Sequence, residues 1–280
     1  MKDMGYFRTF DGTRLFYRVR AGEAGKPWLL ILHGLGEHSG RFANVDHEAE
    51  KLGFSTAAFD YRGHGRSEGQ EMYVETFEDF LKDADAFIEM LEKERQAAGP
   101  YLVAGNSLGG LVAFSYALRR PERIRALFLF SPCFGIVIPK ILKHLNRTFS
   151  ESIPRFSYMN PVYPPFLTHD EEEMEKYKKD PFVRRKVSTR LLHAMIDQSD
   201  YLLGSGSWNV PFPVYGLLAG DERVVDFGAT KEIFSKIRSP RKVMKVFSKF
   251  YHEIFHEKER EESLRALAAY LAEAGVSKTA

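Results

Sequence analysis

Hydrophobic and polar positions along this chain fall into blocks whose period switches between two and about 3.6. "RLFYRV" (14–19), "WLLILHG" (28–34) and "FSTAAFD" (54–60) read as strands. The second is a solid apolar run, as a strand covered on both faces requires. "YLVAG" (101–105), "IRALFLFS" (124–131), "PVYGLLAG" (213–220) and "KVMKVFS" (242–248) extend the series. Helical stripes lie between them. "FEDFLKDADAFIEMLEKERQ" (77–96) places apolar residues at 77, 80, 81, 84, 87, 88 and 91, one face of a helix. "RFANVDHEAEKLG" (41–53), closed by Gly53, reads as a helix too. So do "LGGLVAFSYALRR" (108–120), "ATKEIFSKI" (229–237) and "KEREESLRALAAYLAEAG" (258–275). This alternation predicts an α/β fold, a mostly parallel sheet with helices on both faces.

The rhythm breaks between about 133 and 209, where six prolines stand among helical fragments and the charge run "DEEEMEKYKK" (170–179). That run reads as a solvated helix face. The stretch is too long for a connecting loop. We expect residues 1–132 and 210–280 to form the core and residues 133–209 an inserted helical cap, or lid.

Chemistry enters at "GNSLG" (105–109), which fits G-x-S-x-G between a predicted strand and a predicted helix. The glycines suit a sharp turn in which neighbouring backbone passes close to Ser107. A glycine-rich packing turn is the plain alternative, and the strand-to-helix context argues for a nucleophile. The N–H of Leu108, at the helix start, is placed to stabilise an oxyanion. A nucleophilic serine needs a base and an orienting acid, in the chain order Ser, acid, His. His144, His169 and His193 fall in the expected cap. His252, just past the last strand, is the candidate base, and His256 reads as a surface residue. The acid lies in "GDERVVD" (220–226), and position alone leaves Asp221, Glu222 and Asp226 open. In "LHGLGEHSGR" (32–41) the N–H of Leu35 is the candidate second oxyanion donor, with His33 and His38 as braces of the loop. Arg62 and His64 in "DYRGHGRS" (60–67) read as structural.

"HGLGEHSGR", "DYRGHGRSEG", "GNSLGG" and "YHEIFHE" together resemble the monoacylglycerol lipase and lysophospholipase group of α/β-hydrolase serine enzymes. "FRTFDGTRLFYRV" (7–19), "LTHDEEEMEKYKKDPFV" (167–183) and "KVSTRLL" extend the resemblance over nearly the whole chain. The resemblance implies carboxylic ester hydrolysis through an acyl-serine intermediate, on a small-molecule acyl ester and without a cofactor or metal. In that group the acid stands two residues before an apolar pair followed by Asp. Here the pair is Val224–Val225 with Asp226 after it, so the acid maps onto Glu222, where the group usually has Asp. Asp221 is the alternative. Asn106 also departs from the group, which more often has His before the serine. Two other readings are weighed against the esterase. A proline-directed aminopeptidase needs an acid for the substrate amine, and the cap's acids lie in the solvated run. A non-catalytic binding module would tend to have lost Ser107 or His252. Dehalogenase and epoxide hydrolase chemistry need a carboxylate at 107.

Composition narrows the class further. With 280 residues, 44% of them hydrophobic, the chain can bury a large core. A net charge of +2 with mixed signs argues against nucleic acid as a partner. The single cysteine, Cys133, excludes a disulfide framework. The N-terminus lacks the apolar run of a signal peptide and no window is long enough to span a bilayer. The expectation is a cytoplasmic protein that can visit a membrane through its cap, where "FGIVIPKILKHL" and "FSYMNPVYPPF" mix apolar and basic residues.

Overall fold

The computed structural model describes residues 2–160 and 162–276. Eight strands form one sheet: β1 (Lys2–Arg8), β2 (Arg14–Arg20), β3 (Trp28–Leu32), β4 (Ser55–Phe59), β5 (Tyr101–Asn106), β6 (Ile124–Phe130), β7 (Val214–Ala219) and β8 (Lys242–Phe247). Their order across the sheet is β1-β2-β4-β3-β5-β6-β7-β8. The β1–β2 and β2–β4 pairs are antiparallel, and β4 through β8 run parallel. The helices are α1 (Ala43–Lys51), α2 (Glu78–Arg95), α3 (Leu108–Arg119), α4 (Lys140–Ser152), α5 (Glu171–Lys179), α6 (Thr189–Gly204), α7 (Phe227–Lys236) and α8 (Glu261–Val276).

The expected strands and core helices all form, with ends displaced by up to three residues. The strand absent from the sequence reading is β1. Gly5 interrupts its alternation, and Met4 and Tyr6 on this edge strand face solvent. Parallel central strands bury both faces, and the period-two pattern sorts their side chains between two cores. Leu30, Leu32 and Val103 join one core with α2, α3 and α7. Leu29, Ile31, Leu102 and Ala104 join the other with α1 and α8. Between β6 and β7 the chain carries α4, α5 and α6, together with a two-stranded pairing of Ser157–Met159 with Lys186–Ser188. Helix α6 packs into the first core through Leu191, Leu192, Met195 and Ile196. The charge run forms α5 as expected, capped by Asp170, whose carboxylate accepts from the N–H groups of Glu172 and Glu173. Tyr177 is the exception within it, a buried side chain facing inward.

Register decides where the loops meet. Leu32 at the end of β3 lies opposite Gly105, Asn106 opposite Phe130, and Ala219 opposite Phe247. The segments that follow β3, β5, β7 and β8 therefore leave one carboxyl edge, the edge where open α/β sheets place ligands.

Helix α8 is amphipathic, and its Leu267 is fully buried in the second core. Leu267→Ala should cost about 2–5 kcal/mol of unfolding free energy, through lost burial and the cavity left behind. Chemical denaturation with an unchanged m-value is the check, and a loss below about 1 kcal/mol would show that this face is not packed as described.

Candidate active site

Ser107 occupies the turn between β5 and α3 at φ +53°, ψ −118°. An L-residue pays roughly 1–3 kcal/mol for such a backbone unless its surroundings enforce it. Here they do. The Ser107 N–H donates to Phe130 O at 3.0 Å, and its carbonyl accepts from the N–H groups of Gly110, Leu111 and Cys133 at 2.9, 3.2 and 2.9 Å. The flanking glycines let α3 lie against the sheet. A methyl on Gly105 would fall 2.1 Å from Gly109 O, and one on Gly109 would fall 2.1 Å from Leu32 O.

The loop after β8 carries His252, and the loop after β7 carries Glu222. His252 Nδ1 and Glu222 Oε2 are 2.8 Å apart, and both side chains are almost completely buried. The other carboxylate oxygen, Oε1, accepts from the N–H groups of Val224 and Val225 at 2.8 and 3.2 Å. Burial alone would raise the Glu222 carboxyl. The His252 charge, the hydrogen bond from its ring and these two N–H groups outweigh burial and hold the carboxyl below its ordinary value. Burial alone would lower His252, but Glu222 outweighs it and raises the imidazole above its ordinary value. With Nδ1 committed to Glu222, Nε2 is left buried without a hydrogen-bond partner among the described residues. Asp221 is turned to solvent and pairs with Arg223 at 2.9 Å. Asp226 caps α7 by accepting from the Ala229 N–H. Of the three carboxylates in this loop, Glu222 is the one on the imidazole.

Ser107, His252, Gly34 and Leu35 border one cavity of about 10 Å³, the room of about one water. Leu108 begins α3 directly after the serine. Neither the Leu35 N–H nor the Leu108 N–H donates to another described residue. Two larger cavities, of about 730 and 600 Å³, touch none of these residues.

Around this centre lies a buried ionic network that the sequence reading did not resolve. Glu37 Oε1 accepts from the Gly34 N–H at 2.6 Å and from Asn106 Nδ2 at 3.2 Å. Its Oε2 accepts from Arg41 Nε at 3.1 Å. Arg41 Nη2 donates to Glu253 Oε2 at 2.5 Å, and the guanidinium lies 4.7 Å over the Tyr177 ring. His256, expected on the surface, is buried here, with Nδ1 3.2 Å from Glu253 Oε2 and Nε2 3.1 Å from Arg41 O. Its neighbours in "HEIFHE" leave the strand in a loop, not a helix, and so turn it inward. The available signal was the spacing of Glu37 and Arg41, an i,i+4 pair beside the oxyanion loop.

The expected braces behave as braces. His33 Nε2 accepts from the Tyr61 N–H at 2.9 Å, and its Nδ1 contacts Gly34 O at 2.8 Å. Burial pushes its basicity well down. His38 reaches Asp180 at 3.0 Å. Arg62 holds Asp83 through two hydrogen bonds, and burial takes His64 down to about 4. Cys133 is buried, and burial pushes its thiol up to about 12, so it stays protonated and unreactive.

Among known families, Hydrolase_4, described as serine aminopeptidase, S33, matches residues 24–259. An uncharacterized abhydrolase domain-containing protein of Dictyostelium discoideum is 26% identical over 88% of this chain, which spans only 26% of that relative. The protein named phospholipase YtpA of Bacillus subtilis is 26% identical, covering 86% of this chain and 93% of its own length. A crystal structure of a Paleococcus ferrophilus monoacylglycerol lipase superposes with a TM-score of 0.84 at 27% identity, covering 93% of this chain and 99% of that one. The strand order, the strained serine turn and these matches agree, and the chain belongs to the Hydrolase_4 family of α/β-hydrolases, within its monoacylglycerol lipase-like group.

Proposed function

We propose that this protein is a serine carboxylic ester hydrolase acting on monoacylglycerol- or lysophospholipid-like esters. The observation that carries the reading is the buried Glu222–His252 pair, whose free Nε2 borders the same cavity as Ser107. His252 Nε2 takes the proton of Ser107 Oγ as that oxygen attacks the ester carbonyl. The N–H groups of Leu35 and Leu108 receive the oxyanion, each worth roughly 100- to 1,000-fold in rate. The resulting imidazolium is stabilised by Glu222, gives its proton to the leaving alcohol and so regenerates the base. Water then attacks the acyl-serine by the same route, and the acid leaves. Glutamate replaces the usual aspartate because two backbone N–H groups fix its longer side chain. The Ser107 cavity is far smaller than an ester, so Val162 and Tyr177 must move for substrate to enter. Those residues belong to the 133–209 insertion, which we assign as the cap. The substrate class follows relatives named as a phospholipase and a monoacylglycerol lipase. The family description names an aminopeptidase. In this chain the carboxylates that line the Ser107 cavity, Glu37 and Glu253, are paired with Arg41, which leaves no unpaired acid for a substrate amine among the described residues of that wall.

Helix α4 turns Ile141, Leu142, Leu145 and Phe149 to solvent, each 41–64% exposed. No helix among the described residues is long and apolar enough to cross a membrane, so we assign this face to peripheral contact with a lipid surface. Flotation with phosphatidylcholine–phosphatidylglycerol vesicles should recover the parent protein and lose an Ile141→Glu, Phe149→Glu double variant. Equal recovery of both would remove α4 from membrane contact.

Ser107→Ala should lower kcat toward p-nitrophenyl butyrate by roughly 10⁴-fold or more with an unchanged melting temperature. Parent-like turnover by that variant would refute the nucleophile.

Glu222→Gln should cost roughly 10³- to 10⁴-fold in kcat. Asp221→Asn, at an exposed ion pair, should stay within about threefold of the parent. The pH profile gives a second readout. Because His252 is raised and must be neutral to act as base, kcat/KM should fall as pH drops through a midpoint above about 6.5. In Glu222→Gln burial is opposed only by the smaller pull of Glu253 and Glu37, so that midpoint should move down. An unmoved midpoint, or a larger loss in Asp221→Asn, would assign the acid elsewhere.

A further inference from the structure

A cavity of about 520 Å³ lies in the insertion, within the size range of small-molecule sites. Two of its residues, Val162 and Tyr177, also line the small cavity at Ser107. They form the partition between the two spaces. The larger cavity is tied to the candidate oxyanion loop by backbone. The Arg184 N–H donates to Gly36 O at 2.7 Å, and the Asn160 N–H donates to Arg185 O at 2.7 Å. Any shift of Leu35 and Gly36 around a bound ester is therefore transmitted to this wall.

The charge on the wall is one-sided. Lys178, Arg184 and Arg185 line the cavity, and no carboxylate does. Lys178 is partly neutralised by Glu175 at 2.9 Å. Arg184 spends Nη1 and Nη2 on the carbonyls of Pro181 and Gly65, while its buried Nε makes no hydrogen bond. Its nearest carboxylate, Glu71, is 3.9 Å away. Arg185 donates to the Lys178 carbonyl and has no carboxylate within ion-pair distance among the described residues. Carbonyl oxygens satisfy donors but do not neutralise charge. Arg184 and Arg185 thus both line the cavity, Arg184 with only a distant counter-ion and Arg185 exposed and without one among the described residues, and the planar guanidinium fork suits a phosphate. The remaining wall, including Met159, Tyr163 and Pro164, is apolar and suits the carbon skeleton between a phosphate and an ester.

We propose that this cavity is the leaving-group subsite of the Ser107 centre and that it takes a phosphate-bearing glycerol headgroup, so that the preferred ester is a lysophospholipid-type substrate rather than an uncharged monoacylglycerol. This inference rests on the ester-hydrolase reading given above. The alcohol released from Ser107 passes the Val162–Tyr177 partition, and its phosphate pairs with Arg185, with Arg184 adding charge. Inorganic phosphate shares this chemistry and differs in lacking the acylglycerol that reaches the serine.

The test compares 1-octanoylglycerol 3-phosphate with 1-octanoylglycerol at low ionic strength. The parent should favour the phosphate ester in kcat/KM. Arg185→Ala should shrink the ratio of the two values by about tenfold, the size expected for loss of one charge-assisted hydrogen bond. Arg185→Lys should restore part of it. Lys179→Ala, on α5 outside the cavity wall, should leave the ratio unchanged. A parent without preference for the phosphate ester, or an Arg185→Ala ratio equal to that of the parent, overturns the subsite. Failure of the ester-hydrolase reading looks different, since p-nitrophenyl butyrate would not be cleaved either. In that case calorimetry on Ser107→Ala decides the cavity alone. Binding of 1-octanoylglycerol 3-phosphate that is tighter than inorganic phosphate and weakened by Arg185→Ala supports it. Equal binding of the two, or no binding, overturns it.

Discussion

The backbone of Ser107 is held at positive φ by four hydrogen bonds, and most of the site's geometry depends on that one constraint. One bond comes from the end of β6, one from the segment after it, and two from α3. To satisfy them, α3 must approach β3 and β5 until the Gly109 backbone meets Leu32 and the Gly105 backbone meets Gly109. The turn, the helix and the central strands are therefore a single packing solution. The serine oxygen is lifted off the sheet because nothing else fits. The helix start faces the same point with its first N–H unpaired, which supplies partial positive charge without a bound ion.

Electrostatics then divides the surroundings into two parts with different duties. The Glu222–His252 pair is buried but only half satisfied, since one ring nitrogen has no partner. An unpaired buried nitrogen is costly in a structural pair, and it is the atom a general base must keep free. The Glu37–Arg41–Glu253–His256 network is buried and fully engaged. It carries two carboxylates, one guanidinium and one imidazole. Through Gly34 and Asn106 it fixes the oxyanion loop to the serine turn. In this chain Asn106 works as a donor to Glu37, which gives a structural reason for the departure from histidine at that position. In the proposed mechanism the first network does the chemistry and the second holds it in register.

Much of this was legible in the sequence because the relevant signals are local. Period-two runs bounded by glycine marked the central strands, and G-x-S-x-G between a strand and a helix marked Ser107. The position of His252 followed from chain order, since a base for Ser107 has to leave the same sheet edge. What stayed hidden depends on long-range packing. Asp221 and Glu222 are adjacent and chemically alike, so position alone left them open and only the resemblance pointed to Glu222; the direction in which the loop after β7 leaves the sheet turns that residue inward. Tyr177 lies inside a run of ten residues in which every other side chain but Met174 is charged, so a solvated face was the natural reading. It is buried because α5 lays one aromatic ring over Arg41. His256 was misplaced by assuming a helix where the chain makes a loop. Edge strand β1 was overlooked because half of it is wet, and burial is what writes alternation into a sequence.

The loop that carries His252 is also bound to the insertion, and this joins substrate entry to catalysis. The Glu253 N–H donates to Leu167 O at 2.8 Å, and Thr168 Oγ1 donates to His256 O at 2.8 Å. Glu257, fully buried, accepts from the N–H groups of His169 and Tyr251 and lies 2.9 Å from His169 Nδ1. Residues 167–170 and 251–257 are therefore clasped together. Leu167 is itself a wall of the Ser107 cavity. Opening the cavity at Leu167 would therefore pull on the loop that carries His252, and under the proposed mechanism substrate enters past Val162 and Tyr177.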